Sequence, residues 1–153
     1  MHVEDMSIEK EVNEFISFIF KKDEINDIDE LIVQLDKLAV SLARVEYQFD
    51  EKDYPDSPRM EHDEIRKQVE KRFPSLGYYN TVFEVLEVGE SVSPITGDAI
   101  DDISDITQDL MEVSWCFQNT SENDALWHLE NSYSTHWGRH LRNLQLYLYA
   151  FKH

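Results

Sequence analysis

The sequence predicts an all-α protein, a single-domain irregular bundle of about five helices over residues 1–153. Apolar residues recur at steps of three and four in several long segments, which places them on one face of a helix. Proline and glycine number only four each, too few for a protein rich in β turns. With 41% hydrophobic residues, a chain of this length can bury a sizeable core as one domain.

The N-terminal segment predicts two helices joined by a short turn. The first is expected at residues 7–22, where apolar side chains share one face. The second is expected at residues 27–48, because Asp27 is followed by Glu30 three residues later and then by an apolar heptad pattern. So short a turn leaves the two helices antiparallel.

The middle of the chain is less regular. Two prolines and four acids interrupt the helical pattern at residues 49–58, which predicts a surface loop. A short third helix is expected at residues 61–73, where a proline follows it. Residues 78–88 are compatible with a helix or with a short strand near residues 85–88.

Two further helices are expected in the C-terminal third. Asp98 is the predicted N-cap of a helix at residues 98–118, whose apolar positions follow a heptad. Ser121 with Asp124 three residues on has the outline of a capping box. It opens the longest amphipathic segment, a helix expected at residues 122–151.

Two histidines of the last helix are expected to meet two aspartates of the fourth. A helical wheel places His140 toward the core and His136 at its edge. Asp102 and Asp109 lie on one flank of the fourth helix's apolar stripe. Gly138, between the histidines, indicates that a neighbouring helix crosses closely at this point.

Three interpretations of this cluster stay open. It forms hydrogen bonds that satisfy semi-buried polar groups, or it is a catalytic acid–base pair without a metal. In the third interpretation it binds a divalent transition metal, because two histidines at i and i+4 facing carboxylates suit such an ion. The predicted metal ligands are His136, His140, Asp102 and Asp109. His128 lies about 80° of helix rotation from His136, which makes it a poor further ligand.

Charge is distributed unevenly along the chain. The sequence has 32 acidic and 14 basic residues, a formal net charge of −18. Between Phe73 and Gly138 there are twelve acids and no lysine or arginine. A chain this acidic repels nucleic acid, so direct nucleic-acid binding is not expected. The acids form either a solvated face that keeps the protein soluble or a docking surface for a basic protein.

Acidity without a catalytic signature predicts a non-enzymatic protein-binding module that needs no cofactor. The most concrete hypothesis is an immunity protein that neutralises a basic, nuclease-type bacterial toxin, because such a toxin needs a basic surface for its phosphate substrate. The predicted contact residues are Glu84, Glu87, Glu90, Asp98, Asp101 and Asp105. The alternative is a metal-binding helical domain with a hydrolase or sensor role that uses the four ligands named above.

The sequence also predicts a cytoplasmic location and no membrane partner. Its single cysteine, Cys116, has no pairing partner in the chain, as expected in a reducing compartment. The most apolar run, residues 15–20, is far shorter than the roughly 20 residues of a membrane span. The first residues lack the basic region of a secretion signal.

The C-terminal half, roughly residues 98–148, resembles a known family. It has an acidic Asp-x-x-Asp-Ile helix, a short polar turn and then a His-Trp-Gly-x-His element. The residues that carry the resemblance are Asp102, Asp105, Ile106, Asp109, Leu110, Trp127, His136, Trp137, Gly138 and His140. Together they resemble the bacterial domain-of-unknown-function family 5063. The resemblance implies an α-helical fold and no established activity.

Overall fold

Helices make up most of the chain in the computed structural model, which describes residues 7–153. In chain order the elements are α1 (Ile8–Ile19), α2 (Ile28–Leu42), α3 (His62–Arg72), β1 (Tyr78–Val82), β2 (Pro94–Asp98), α4 (Ala99–Asn119), α5 (Glu122–Ser132), a π turn (Tyr133–Trp137) and α6 (Gly138–Lys152). The last three follow one another without a gap and form the long helix predicted for residues 122–151. The predicted all-α class is confirmed, and residues 1–6 of the predicted domain lie outside the described residues.

Three helices begin at the N-caps that the sequence indicated. The side chain of Asp27 accepts a hydrogen bond from the backbone of Glu30, and the hydroxyl of Ser121 accepts one from Asp124. Asp98 accepts from two backbone N–H groups of the first turn of α4. Each such cap stabilises a helix by about 1 kcal/mol, because it satisfies N–H groups that have no partner within the helix.

Helix α4 lies at the centre of the bundle and packs against α1, α3, α5 and α6. Its residues Ile103, Ile106 and Leu110 are fully buried. Burial of such side chains stabilises the fold by roughly 1.5–3 kcal/mol each. Because α4 touches almost every other helix, the polar residues on its remaining side are held in fixed positions.

The first two helices end earlier than predicted, for different reasons. The buried guanidinium of Arg72 donates to the carbonyls of Phe18 and Glu24, which holds the chain in a turn after Ile19. Helix α2 ends at Leu42, although Val45 follows at a spacing that would suit the same apolar face of the helix. Val45 instead packs half-buried against the core from a non-helical segment.

A two-stranded antiparallel sheet lies between α3 and α4. Its strands pair Tyr79 with Gly97, and residues 85–88 belong to the loop that connects them. The short strand predicted near residues 85–88 is therefore confirmed, with one strand on either side of those residues. Gly97 is required in this pairing, because a Cβ there would overlap the ring of Tyr79.

The π turn in the last helix explains Gly138. A Cβ added at Gly138 would lie 2.5 Å from the carbonyl oxygen of Tyr133 and 2.9 Å from the Tyr133 ring. Helix α4 does pack beside the π turn and α6 at the histidine pair, as predicted. The close approach that requires glycine comes instead from the preceding turn of the same helix. Trp137 is fully buried beside it and donates from Nε1 to the hydroxyl of Ser132 over 3.0 Å.

Across residues 7–153, every helix is too short or too polar to cross a lipid bilayer.

Candidate metal centre

A row of aspartates runs along one side of α4, beginning at its N-cap. Its members are Asp98, Asp101, Asp102, Asp105 and Asp109. Asp102 and Asp109 are buried, with 5% and 7% of their surface exposed. A buried carboxylate needs partners, because its desolvation is costly unless hydrogen bonds or cations compensate. Those partners come from residues 59–66 on one side of the row and residues 136–140 on the other.

Both histidines of the last helix are anchored to aspartates by Nδ1. His140 Nδ1 lies 2.8 Å from Oδ1 of Asp102, and His136 Nδ1 lies 2.6 Å from Oδ2 of Asp109. The histidines run antiparallel to the aspartates, since the later histidine meets the earlier aspartate. The structure therefore brings together the four residues that the sequence selected, and it shows which imidazole nitrogen each carboxylate holds.

The other nitrogen of each imidazole faces Asp105. Nε2 of His140 lies 3.3 Å from Oδ2 of Asp105, and Nε2 of His136 lies 3.8 Å from the same oxygen. The two rings are edge to face, with centroids 5.1 Å apart. The sequence predicts Asp105 as a contact for a basic partner, but its carboxylate lies between the two imidazoles.

This arrangement places electron pairs opposite one another. An ionised carboxylate only accepts hydrogen bonds, so Nδ1 is the protonated nitrogen in both His136 and His140. Nε2 of a neutral imidazole then carries a lone pair, and that lone pair faces the carboxylate of Asp105. Only a positive species between them, a second proton or a metal ion, makes this contact favourable.

A third imidazole reaches Asp105 from the opposite side. Nε2 of His62, the first residue of α3, lies 2.9 Å from Oδ1 of Asp105 and 3.5 Å from Oδ1 of Asp101. This nitrogen is shielded from solvent, and within residues 7–153 it makes no hydrogen bond of acceptable geometry. No periodicity marked His62 in the sequence, because its short helix is mixed in charge on every side.

Two arginines from the segment before and within α3 neutralise other members of the aspartate row. Arg66 contacts Asp98 at 3.0 Å and Asp101 at 3.2 Å. Arg59 contacts Asp109 at 3.3 Å and also pairs with Glu112. Two guanidinium groups thus contact three of the five aspartates, which leaves an excess of negative charge when the three imidazoles are neutral.

The small sheet contributes a hydrogen-bond donor to the centre. The hydroxyl of Tyr79 in β1 donates to Oδ2 of Asp102, while His140 donates to Oδ1 of the same carboxylate. Burial and the Asp102 carboxylate together raise the pKa of Tyr79 far above its usual value, so the phenol stays protonated. This contact could not be predicted from the sequence, because the segment is compatible with both a helix and a strand.

The ionisation of the centre reflects its negative charge. Burial disfavours the imidazolium of His140, but Asp102 and Asp105 outweigh burial and raise its pKa above the usual value. Burial raises the pKa of Asp105, and repulsion by Asp101 adds to the rise, although the nearby histidines oppose it. Both shifts mean that Asp105 and His140 hold a proton more readily than the isolated side chains do.

A groove opens beside His136. It has a volume of about 220 Å³ and is lined by polar side chains, among them Arg59, Asp109, Ser132, Thr135 and His136. It gives solvent access to one side of the imidazole pair. Water or a small polar molecule can therefore approach the centre without rearrangement of the bundle.

His128 belongs to a different cluster. Ligand-type atoms of Cys116, Asp124 and His128 lie within 4.8 Å of one another, away from the imidazole pair. Burial is the main cause that raises the pKa of the Cys116 thiol to about 11, and the charges of Asp124 and Glu112 add to it. The thiol is therefore protonated at neutral pH, and this cluster lacks the anchored imidazoles of the main centre.

The six acids predicted to bind a partner do not share one environment. Glu84, Glu87 and Glu90 are exposed in the loop between the strands. Asp98 and Asp101 pair with Arg66, and Asp105 lies among the three imidazoles. The sequence contained no basic residue near these aspartates along the chain, but the fold supplies basic groups from α3 and α6.

The fold and centre define a helical bundle whose central helix carries an aspartate row between two histidine-bearing segments. The chain belongs to the family of the domain of unknown function DUF5063, whose model matches residues 3–153. The match extends well beyond residues 98–148, where the resemblance was recognised, so the N-terminal helices belong to the family as well.

A solved structure has the same fold. The chain is similar to the crystal structure of protein BF1032 from Bacteroides fragilis, with a TM-score of 0.76 and 17% sequence identity. The similarity covers 95% of this chain and 90% of that one. No curated protein matches the chain.

Proposed function

We propose that the protein binds a divalent transition-metal ion through Asp105, His136 and His140. The observation that supports this best is the orientation of the imidazoles: each is anchored at Nδ1 by a carboxylate and directs Nε2 at Asp105. Metal-binding histidines usually donate their second nitrogen to a carboxylate or carbonyl, which fixes the ring and increases its basicity. Two imidazoles with one carboxylate suit zinc, iron, manganese, cobalt or nickel.

The proposed roles of the aspartates differ from those that the sequence indicated. Asp102 and Asp109 were predicted as ligands, but their oxygens contact the Nδ1 atoms that point away from Asp105. In the proposal they orient His140 and His136, and Asp105 is the carboxylate ligand. Their burial supports this role, because a buried partner holds an imidazole in one orientation.

The distances suit an ion with small adjustments. The ligand atoms of Asp105, His136 and His140 lie within 4.8 Å of one another. Ligand atoms at about 2.1 Å from a common ion are roughly 3.0–3.4 Å apart when they are neighbours. The 3.3 Å between His140 and Asp105 already fits, whereas the 3.8 Å between His136 and Asp105 must shorten. His136 is the more exposed of the two histidines and has room to move.

Three protein ligands leave at least one coordination position for water, as in hydrolytic centres. The groove beside His136 gives solvent access to this side of the centre. A hydrolase role requires turnover of an ester or amide that stops when the metal is removed. A sensor role requires that metal binding changes the conformation of the protein or its affinity for a partner, without turnover of a substrate.

The test is metal binding by protein purified without a histidine tag. We expect at least one ion per chain by mass spectrometry of the metal content, and stabilisation of about 2.7 kcal/mol when free zinc or manganese is a hundredfold above Kd. His140→Ala is expected to weaken binding at least a hundredfold, and His153→Ala, at the exposed C-terminus, to leave it unchanged. A folded wild-type protein that takes up no ion and is not stabilised by any of these metals would contradict the proposal.

We propose, as a second candidate function, that the loop between the strands binds a basic protein. Glu84, Glu87 and Glu90 alternate there with Leu86 and Val88, which are 96% and 99% exposed. Apolar side chains this exposed are typical of interaction sites. An apolar pocket rimmed by lysine or arginine complements the loop, and a nuclease-type toxin is one protein with such a basic surface.

This second proposal is tested on a nuclease toxin encoded in the adjacent reading frame, with calorimetry at low and high salt. Replacing Glu84, Glu87 and Glu90 by lysine is expected to weaken binding at least tenfold at low salt, because rim charges steer association. The matched control replaces the exposed acids Glu51, Asp53 and Asp56 by lysine. Equal affinity of both triple variants, or the absence of any complex, would remove the toxin hypothesis.

A further inference from the structure

We propose that Asp105 bridges two divalent metal ions, the second of which is held by His62 and Asp101. This inference rests on the proposed function, because Asp105 is also the carboxylate of the first site. It extends that site from one ion to a pair.

The two oxygens of Asp105 face different imidazoles. Oδ2 faces Nε2 of His140 at 3.3 Å and Nε2 of His136 at 3.8 Å, whereas Oδ1 faces Nε2 of His62 at 2.9 Å. A carboxylate that binds a single ion has the other ligands of that ion on one side only. A carboxylate with imidazoles facing both oxygens has the arrangement of a bridge between ions about 3.5–4 Å apart.

His62 supplies the independent observation for the second position. Its Nε2 is shielded from solvent and, within residues 7–153, makes no hydrogen bond of acceptable geometry, although Asp105 Oδ1 is only 2.9 Å away. Close distance with poor hydrogen-bond geometry is expected when two ligand atoms point at a common ion instead of at each other. A buried nitrogen left unsatisfied is otherwise costly, by roughly 1–3 kcal/mol.

Asp101 completes the second position. Ligand-type atoms of His62, Asp101 and Asp105 lie within 4.8 Å of one another, and this group shares only Asp105 with that of Asp105, His136 and His140. Oδ1 of Asp101 is 3.5 Å from His62 Nε2, and Arg66 holds the same oxygen at 3.2 Å. A carboxylate oxygen has two lone pairs, so Arg66 can fix Asp101 while a metal uses the second pair.

Electrostatics favours a cation between Asp101 and Asp105. The two aspartates lie one helical turn apart on α4, so their carboxylates repel each other. Arg66 is already shared among Asp98, Asp101 and Glu70, so it neutralises Asp101 only in part. One divalent ion bound by both carboxylates would offset the repulsion directly.

The experiment counts ions and detects their coupling. Metal-free full-length protein is titrated with Mn²⁺, the bound ion is quantified, and electron paramagnetic resonance is recorded. We expect two ions per chain with a spin-coupled signal in the wild type. His62→Ala is expected to retain one uncoupled ion, with His62→Gln as a second variant if the alanine protein does not fold. His153→Ala is the control and is expected to keep two coupled ions.

The outcomes separate the two proposals. One ion per chain in both the wild type and His62→Ala, with equal affinity, would overturn the bridge while the single-ion site stands. One ion in the wild type that binds more than tenfold weaker in His62→Ala would make His62 a ligand of the first ion and would also overturn the bridge. No Mn²⁺ in the folded wild type would overturn the bridge, and the single-ion site would fall with it only if zinc also fails to bind.

Discussion

Asp102 holds His140 at 2.8 Å through one carboxylate oxygen, and its other oxygen accepts from Tyr79. Because the proton of His140 is committed to Asp102 at Nδ1, Nε2 is left with a lone pair toward Asp105. One contact on the buried side of the imidazole thus determines what the other side can bind. The same relation holds between Asp109 and His136.

Replacing Asp102 by asparagine tests this relation. Asp102→Asn keeps the shape of the side chain but removes its charge, so His140 becomes less basic and less well oriented. We expect zinc affinity to fall by roughly 10–100-fold, as for other residues that orient metal-binding histidines. Calorimetric titration measures the change, with Asp53→Asn in the exposed loop as the control. Unchanged affinity in Asp102→Asn would show that His140 does not bind the ion.

Tyr79→Phe tests the contribution of the sheet. The variant removes the hydroxyl that donates to the buried Asp102, and we expect the free energy of unfolding to fall by about 1–3 kcal/mol. Tyr78 in the same strand is exposed, so Tyr78→Phe is expected to change stability by less than about 0.5 kcal/mol. Urea denaturation gives both values, and equal stabilities of the two variants would argue against the contact with Asp102.

Gly138→Ala tests the π turn. In an ordinary helix, alanine is more favourable than glycine by about 1 kcal/mol. Here the added methyl group would lie 2.5 Å from the carbonyl oxygen of Tyr133, so we expect a loss of about 1–3 kcal/mol instead. Gly77→Ala is the control, since no atom lies within 4 Å of a Cβ there. A more stable Gly138→Ala protein would show that the turn is an ordinary α-helix.

Cys116 is expected to resist alkylation in the folded protein. Its thiol is buried and its pKa is raised to about 11, so about one thiol in a thousand is ionised at pH 8. The rate with iodoacetamide should rise about tenfold per pH unit from pH 8 to pH 10, because the thiolate is the reactive form. Mass spectrometry measures the rate, and protein unfolded in urea is the reference. A rate equal to that of the unfolded protein would contradict both the burial and the pKa.

Local patterns predicted the helices and their beginnings well. Asp27, Asp98 and Ser121 cap helices as expected, because a cap depends only on residues within one turn. The wheel placed His140 nearer the core than His136, and the structure leaves His140 the less exposed of the two. These features follow from helical periodicity, which the sequence carries directly.

Contacts between distant segments were not predictable in this way. His62 begins a short helix that follows a long loop, and it contacts Asp105. The path of a loop cannot be predicted from sequence periodicity, because a loop has none. Tyr79 reaches Asp102 only because the strands pair it with Gly97. The π turn inserts a residue that an ideal wheel does not contain. Sequence patterns alone therefore predict Asp105 as a contact for a partner, although three imidazoles surround it.

The counter-charges of the aspartate row come from segments on both sides of α4 in the sequence, and this affects biosynthesis. The ribosome releases Arg59, His62 and Arg66 before α4, but His136 and His140 only after it. When synthesis of α4 is complete, its carboxylates can therefore pair with the basic residues that precede α4. The carboxylates that pair with His136 and His140 still face water at that stage. Folding can finish only when the C-terminal helix docks, so prematurely terminated chains are expected to be degraded instead of accumulating as partly active fragments.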